Sequence, residues 1–510
     1  MTETIRRRSF ARVFLLLGTL ALAALVAFAC LRSPALALVL GAGFCVLGAA
    51  LRYPDVATHA VLFLLYSNLP AVGVGFHGVP KPVAAAFPML LALPLLRDLF
   101  LRRQPLVLTP AFFLLVLILG LQAVSAAFSI DPGKSFGSVL TFAVEGVALY
   151  LLITNVLRSK ATVRIATWTL VAAGVLMSLV PLFQQVTGTF DNNYGGLAQV
   201  DGLGFRTGEA AEEGGTLERQ ARLAGPIGEK NRYAQVMLVL VPLALVLVFR
   251  SPAGLPKLVT LAAAASISLG FVLAFSRGGA IGAVCMLLVA MGLRLIDVRK
   301  TLFVAAGMGL LLMAMPQYWK RLETIGTSMA VFGDDSEAAA ADGATRRRVT
   351  EMLAAGRVFL DHPVIGVGPG LFKSYSEEYG NVDALRRIES GRRAHSLYLE
   401  FAAENGAIGL GLLLAALVLT LVGLAGARRA NRASDPEMAD LATAYLLALV
   451  CYLSTGVFLH LSYMRYFYIV VALGGAVAHV GYATQRARAA EAGAPRPELE
   501  AVPTALGGRA

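Results

Sequence analysis

The sequence predicts an all-α polytopic membrane protein with 12–14 transmembrane helices and one large, partly helical outer loop. Two observations predict this class. Apolar residues make up 57% of the 510 residues and charged residues only 15%, and the mean hydropathy is +0.70. A soluble domain has about 45–50% apolar and about 25% charged residues, so it cannot bury this much apolar surface. The composition excludes a soluble enzyme, a disordered chain and a secreted disulfide scaffold.

Fourteen apolar segments follow one another along the chain. A helix that crosses a hydrocarbon core of ~30 Å needs about 20 such residues. The first segment follows Arg6-Arg7-Arg8, is too long for a signal peptide and lacks a cleavage site, so we expect an uncleaved helix. Several segments are short, so twelve spans with re-entrant pieces also fit. The segments are 11–31, 34–51, 56–76, 83–100, 106–127, 136–157, 163–187, 231–249, 258–275, 279–296, 301–315, 402–426, 438–459 and 464–483.

The net charge of +12 comes mostly from short turns between these segments. Alternate turns carry fifteen and five basic residues, which is typical of a topology signal rather than of nucleic-acid binding. The basic turns and both termini are therefore predicted to be cytoplasmic. The four cysteines lie within apolar segments and show neither a metal spacing nor a disulfide framework.

Two long polar stretches interrupt the apolar pattern, and both fall on the predicted outer side. In the second, Arg346–Phe359 has helical spacing and is followed by a His362-Pro363 turn, whereas 334–345 has the composition of a mobile segment. Six regions result: N-terminal transmembrane helices 1–187, an outer loop 188–230, transmembrane helices 231–315, a large outer loop 316–395, C-terminal transmembrane helices 396–483 and a disordered cytoplasmic tail 484–510.

Candidate functional residues gather at the predicted outer ends of helices. An ionisable residue at membrane depth costs about 2.5–3.5 kcal/mol on insertion scales, so it indicates a site. Arg277 lies between two apolar segments in FSRGG, where an interfacial snorkelling arginine is the alternative. Arg222, Lys230 and Asn231 lie in ARLAGPIGEKNRYAQ. They fit an anion at a helix N-terminus, a solvated basic loop, or an N-cap in the case of Asn231.

His395 opens AHSLYLEFAAENG, the entry into an apolar helix from the large loop. Tyr398, Glu400 and Glu404 follow it, and the two glutamates lie four residues apart on one helix face. An imidazole can take a proton near neutral pH, although a lone histidine is more often structural. Glu404 has an equally good structural role at the helix entry. The run of arginines ending at Arg348 reads by default as a solvated face.

Two further patterns are a carboxylate within a predicted span and a glycine-rich loop. Glu145 lies within a predicted span and should pair with a basic group that the sequence does not identify. GVGPGLFKS, at 366–374, is similar to a phosphate loop, but Phe372 stands where the Walker pattern needs glycine. We therefore predict neither nucleotide nor nucleic-acid binding, and no carboxylate or His/Cys cluster indicates a metal.

Four segments in order resemble the signature region of the bacterial O-antigen ligase and polymerase superfamily. They are ARLAGPIGEKNRYA, FSRGGAIGAV, RVTEMLAAGRVFLDHPVIGVGPGLF and AHSLYLEFAAENGAIGLGLLL, within about 220–425. The resemblance assigns its arginines to Arg222, Arg277 and Arg348 and its histidine to His395. It departs at Met352, where a tryptophan is frequent, and at Lys230-Asn231, where Pro-Asn is frequent.

The resemblance implies a metal-independent glycosyltransferase of the inner membrane with a GT-C-like fold, no cofactor and an active site that faces the periplasm. The donor would be a glycan on undecaprenyl diphosphate and the acceptor a lipid A–core oligosaccharide. We expect an inverting transfer in which Arg222 and Arg277 hold the diphosphate. His395 would act as general base or diphosphate ligand. The expected substrate-binding residues are Arg348, Asn231, Lys230, Tyr398 and Glu404.

Other functions fit the same sequence. A polymerase for O-antigen or exopolysaccharide, or a protein O-oligosaccharyltransferase, would carry the same motifs. A transporter or flippase is the remote alternative, since transporters often show internal repeats and charged sites at midmembrane. We find no clear repeat, and the charged candidates concentrate at one face.

Overall fold

The structure is a computed structural model that describes residues 48, 52–205, 218–295, 343–381, 391–460 and 464–491. Within these residues it confirms an all-α polytopic membrane protein: nine helices are long and apolar enough to cross a membrane, or ten if one bent pair counts as a span. The predicted segments 11–31, 34–51 and 301–315 and the mobile stretch 334–342 lie outside the described residues. The total of 12–14 helices and the GT-C-like arrangement stay predictions.

The first half of the described chain contains eight α-helices. A 3₁₀ turn at Phe87–Leu91 joins α3 to α4, and a π-helix at Ala143–Ala148 joins α6 to α7. The helices are α1 Pro54–Tyr66, α2 Leu69–Phe76, α3 Lys81–Ala86, α4 Ala92–Phe100, α5 Pro110–Ala127, α6 Pro132–Phe142, α7 Leu149–Val156 and α8 Lys160–Thr187.

The second half contains two strands and eight further helices. They are β1 Gln199–Phe205, β2 Glu218–Gly225, α9 Lys230–Arg250, α10 Leu255–Val272, α11 Arg277–Gly292, α12 Gly343–Asp361, α13 Phe372–Gly380, α14 Leu397–Asn431, α15 Pro436–Gly456 and α16 Met464–Glu491.

Polar residues start the long helices. Thr109 accepts a hydrogen bond from the backbone N–H of Phe112, and Pro110 occupies the first helical position, where its missing N–H costs nothing. Ser159 and Thr162 form a capping box at α8. Asp435 accepts from Met438 at the start of α15. Each cap satisfies an N–H that has no partner within its helix.

The most buried spans are α9, α15 and α16. α15 packs against α9, α11, α14 and α16, so its neighbours surround it. Other spans keep large apolar side chains exposed, such as Phe113, Leu117, Leu258, Val418 and Val422, as expected of helices that contact lipid. The chain divides into two compact units. The site described below lies entirely in the second, which comprises His59–Pro88 and the described residues from Pro105 onward.

Ion pairs join several turns that were predicted to be cytoplasmic. Asp435 lies 2.9 Å from Lys160 Nζ and 2.9 Å from Arg488 Nη2, and Arg250 pairs with Asp440. The exposed Arg250–Asp440 pair contributes about 0–1 kcal/mol. The three pairs bring residues 157–164, 249–257 and 432–440 together, and the cytoplasmic position of these turns stays a prediction.

Two features of the structure differ from the sequence prediction: a β-hairpin and the end of the last helix. The outer loop 188–230 contains an antiparallel hairpin in which Val200 lies opposite Leu223 and Phe205 opposite Glu218. The sequence pattern missed it because β1 contains two glycines, which weaken a strand signal. α16 continues to Glu491, eight residues beyond the predicted end of its segment, because GYATQRARAAE is rich in helix-forming residues. The predicted tail therefore does not begin at 484.

Candidate active site

Three of the four motif segments converge at the C-terminal end of α15, as three contacts show. Gln235 of α9 donates a hydrogen bond of 2.7 Å to the hydroxyl of Thr455. The hydroxyl of Tyr398 on α14 donates to the carbonyl of Leu453 at 2.9 Å. Gly282 of α11 lies so close to Thr455 that an added Cβ would be 2.5 Å from its methyl group. Residues 452–460 are therefore the point where α9, α11 and α14 meet.

His395 lies between a buried carboxylate and a second histidine. Its Nε2 is 3.3 Å from Oε2 of Glu351, which is fully buried on α12. Its ring centroid lies 5.3 Å from that of His460. The backbone of His395 has φ of 49°, a left-handed conformation that is uncommon for a side-chain-bearing residue and frequent at functional sites. A carboxylate beside an imidazole fixes its orientation and stabilises its protonated form.

His460 is held on its other side by Arg232, which is almost completely buried. The guanidinium of Arg232 donates to the His460 carbonyl. It also donates to Gln235 Oε1 at 2.5 Å and to the Tyr452 hydroxyl at 3.3 Å. These bonds fix a positive charge beside the histidine pair, His395 and His460.

A small polar cavity of about 90 Å³ lies next to the histidine pair. Arg393 forms a 3.2 Å ion pair with Glu400 at its wall. Repulsion from Arg393, together with burial, lowers the pKa of Lys373, which also lines the cavity. Glu404 also lines the cavity and accepts a hydrogen bond from the N–H of Phe372 at 3.3 Å. Two basic side chains and two carboxyl groups therefore face a space that could receive a polar group.

The same cations act on His460. Burial, followed by repulsion from Arg232, Arg393, His395 and Lys373, lowers the pKa of His460 from 6.5 to about 2. His460 is therefore neutral at physiological pH, and it can accept a hydrogen bond without adding positive charge to the site.

This lowered pKa predicts a pH dependence of stability. Below pH 6.5 the unfolded chain protonates His460 while the folded protein does not, so the free energy of unfolding falls as the pH decreases from 6.5 toward 2. His460→Gln should reduce this loss, measured as the drop in Tm between pH 7.5 and pH 5 in detergent. Lys373→Met should reduce it less, because only one repulsive charge is removed. An unchanged drop in both variants would contradict the assignment.

Arg222 and Arg277 lie at the same break between helices. Arg222 is buried and donates to the carbonyls of Ala274 at 3.2 Å and Phe275 at 2.9 Å. Arg277 is the half-buried first residue of α11, whose N-cap is Ser276. The guanidinium of Arg222 thus binds carbonyls at the C-terminal side of α10, immediately before the positive N-terminus of α11.

Asn231 connects this break to α9. The interpretation of Asn231 as the N-cap of α9 is wrong, because Glu229 holds that position. The Glu229 side chain accepts hydrogen bonds from the backbone N–H groups of Asn231, at 2.9 Å, and Arg232. A carboxylate serves here because it can accept two N–H groups and complements the helix dipole. The Asn231 side chain instead accepts from the Ser276 hydroxyl at 3.2 Å. A series of contacts therefore leads from Ser276, the N-cap of α11, through Asn231 and its neighbour Arg232 to the histidine pair.

The remaining predicted residues lie around this arrangement. Lys230 is the half-buried first residue of α9. Arg348 is half-buried on α12, one turn before Glu351 and thus on the same face of the predicted helix 346–359, which the structure confirms. Tyr398 is tied to α15, as described above. Sequence reasoning did not single out Glu351, Arg393 or His460, and treated Arg232 only as part of a basic neighbourhood.

The loop 366–370 has a packing role. α14 breaks at Gly406, whose φ of 65° and ψ of −171° suit only glycine. At this break the N–H groups of Val367 and Gly368 donate to the carbonyls of Ala403 and Glu404 at 3.0 and 3.1 Å. An added Cβ on Gly366 would lie 2.3 Å from the backbone of Glu404. Gly366 and Gly406 therefore allow the backbone of 364–368 to cross closely over that of 403–406. This crossing places Gly370 and Glu404 at the wall of the polar cavity.

Gly406→Ala should be poorly tolerated. Its backbone conformation alone costs a side-chain-bearing residue about 1–3 kcal/mol, and the new Cβ would lie 2.2 Å from the carbonyl oxygen of Val364. We expect little folded protein by size-exclusion chromatography in detergent. Gly411→Ala is the control, because it lies in the same helix with nothing within 4 Å and should gain up to about 1 kcal/mol. Equal yields of the two variants would contradict this account.

Comparison with known proteins identifies the family. Residues 261–414 match the model of the family described as O-antigen ligase. The match supports the assignment of this part of the chain to the O-antigen ligase/polymerase superfamily. The superfamily comprises membrane enzymes of glycosyltransferase type that act on lipid-linked glycans, which agrees with the multi-pass fold. No curated protein matches the chain. The matched region includes Arg277, Glu351 and His395. His460 lies outside it and contacts His395, and Arg232 in turn binds the His460 carbonyl.

Proposed function

We propose that the protein transfers a glycan from undecaprenyl diphosphate to lipid A–core oligosaccharide at the periplasmic face of the inner membrane, with both termini cytoplasmic. One observation carries the proposal. A histidine oriented by a buried carboxylate, His395 with Glu351 at 3.3 Å, lies among fixed cations at the predicted outer ends of the helices. This combination suits base-assisted attack on a sugar whose leaving group is a diphosphate.

The proposed reaction is an inverting displacement. The acceptor hydroxyl attacks the anomeric carbon, a new C–O bond forms, and the bond from that carbon to the diphosphate oxygen breaks. His395 takes the hydroxyl proton, and Glu351 stabilises the resulting imidazolium. Undecaprenyl diphosphate leaves with the electron pair, and His395 then releases its proton to solvent. Coordination of diphosphate by His395 is the competing role.

Cations stabilise the charge that develops on the leaving group. In this proposal Arg277, at the N-terminus of α11, contacts the diphosphate together with Lys230. Arg222 acts on the same break, because its guanidinium binds the carbonyls of Ala274 and Phe275. Arg348, Tyr398 and Glu404 line the approach of the glycan. The proposed reaction needs no cofactor, because the lipid-linked diphosphate is already an activated leaving group.

Complementation of a ligase-deficient strain tests the proposed function. We expect long glycan chains on lipid A–core, seen as a restored lipopolysaccharide ladder. Glycan that lengthens only on the lipid carrier would instead identify a polymerase, and glycan on protein an oligosaccharyltransferase. A chain that restores none of these, although it is present in the membrane at normal level, would overturn the glycosyltransferase assignment and favour a transporter.

A further inference from the structure

Asn68 interrupts the first bent helix pair in an unusual way. It precedes α2 as N-cap with φ of 62°, a left-handed conformation that asparagine tolerates better than most residues. An N-cap asparagine normally accepts a hydrogen bond from its own helix. The Asn68 side chain makes no such bond, although it is 97% buried. Its amide is directed to other parts of the chain.

Both ends of that amide are bonded to segments that enter the candidate site. Nδ2 donates to the carbonyl oxygen of Pro226 at 2.8 Å. Oδ1 accepts from the guanidinium of Arg465. Pro226 follows Gly225 in the turn that carries Arg222 into α9, and Arg465 lies five residues after His460. One buried side chain therefore joins the arginine-bearing turn to the segment that follows the histidine pair.

Arg465 is itself held in place. Glu145 faces it and accepts a hydrogen bond from its backbone N–H. This N–H belongs to the second residue of α16, so it has no partner within that helix. Glu145 lies in the π-helix Ala143–Ala148, an irregularity that often accompanies a functional demand on a side chain's direction. The partner that the sequence left unidentified for Glu145 is thus Arg465.

Two cavities lie near the contact between Glu145 and Arg465. Both residues line a largely apolar space of about 530 Å³. Their neighbours Phe142 and Tyr468 line the polar cavity beside Lys373, with ring centroids 5.3 Å apart. A shift of α16 would therefore displace Met464 and Tyr468, which form one side of the polar cavity.

We propose that Asn68 is a positioning residue that sets the spacing between the Arg222 turn and the His460 segment, with Arg465 oriented for this by Glu145. The proposal rests on the proposed glycosyltransferase function for its activity readout. Reacting groups need placement to well within 1 Å, and such an error can cost about 10²-fold in rate. The amide acts without touching substrate, so its removal should lower kcat more than it raises KM.

The test uses Asn68→Gly in the full-length protein. Glycine suits the φ of 62° but removes both hydrogen bonds. With undecaprenyl-diphosphate-linked glycan and lipid A–core in proteoliposomes, we expect kcat to fall about 10-fold to 100-fold and the donor KM to change less than about threefold. Hydrogen exchange should increase in 222–228 and 464–468. Asn68→Asp keeps the acceptor for Arg465 but loses the donor to Pro226, so it should recover part of kcat.

Asn431→Ala is the matched control. Asn431 is also buried, and its amide donates to the carbonyls of Ala427 at 2.8 Å and Gly481 at 2.9 Å, near the opposite ends of these helices. It should lower Tm without changing kcat per folded molecule. Wild-type kcat and unchanged exchange in Asn68→Gly would overturn the proposal, as would equal effects of both variants. An inactive wild-type protein would instead count against the proposed function, and the exchange measurement would still test the positioning role.

Discussion

His395→Ala is expected to reduce glycan transfer by about 10²–10⁴-fold, the range that a positioned general base contributes. The variant removes the imidazole that lies 3.3 Å from the Glu351 carboxylate and 5.3 Å, ring to ring, from His460. The measurement is transfer in proteoliposomes, together with the lipopolysaccharide ladder of the complemented strain. The His395 side chain is 30% exposed, whereas its partner Glu351 is fully buried. The Tm and the membrane level of the variant must therefore be measured beside its activity.

The control is His362→Ala. His362 belongs to the same outer region, where its ring packs at 5.9 Å from that of Tyr375, and it is not part of the histidine pair. It should retain transfer within about threefold. Glu351→Gln separates the two roles of His395: a general base should lose rate mainly at the chemical step, whereas a diphosphate ligand should lose donor affinity. Wild-type transfer by His395→Ala would remove this residue from the mechanism.

The sequence predicted this site in part. Polar residues at apolar helix ends are costly and therefore conspicuous, which is why Arg277 and His395 stood out. Their common neighbourhood was expected from the resemblance, and contacts through Ser276, Asn231 and Arg232 connect them. The spacing of apolar residues also predicted a helix over 346–359, which is the part of α12 that carries Glu351. These features depend on the local composition and spacing of residues, so they can be predicted from one amino-acid sequence.

The partners could not be predicted, because each depends on a contact between distant segments. Glu351 reads as an ordinary residue of an amphipathic helix until α12 packs on α14 and brings it to His395. His460 follows a span and resembles an interfacial histidine until Arg232 binds its carbonyl. The break at Gly406 lies inside a segment predicted as one continuous helix, and the approach of Val364 together with the positive φ explains the glycine. Apolar periodicity carries no information about such pairings.

Arg277→Ala should be the second severe variant. Removal of one preorganised group that stabilises a developing charge typically costs about 10²–10³-fold in kcat. Arg277 starts α11, where the helix dipole adds to its charge, and Gly278 leaves its neighbourhood open, since an added Cβ there would meet only Phe458 at 3.4 Å. Arg277→Lys keeps the charge but loses planar bidentate contacts, so it should recover only part of the activity.

Arg250→Ala is the matched control for Arg277→Ala. Arg250 ends α9 at the opposite face and forms an exposed ion pair with Asp440, worth about 0–1 kcal/mol at most. It should transfer glycan like the wild type. The two explanations of Arg277 differ in the measurement: a diphosphate contact predicts lower kcat at saturating donor with normal Tm, whereas a snorkelling interfacial arginine predicts a changed Tm or membrane level with normal kcat. Normal kcat in Arg277→Ala would therefore exclude the leaving-group role, because a change in Tm or membrane level alone is what the interfacial role predicts.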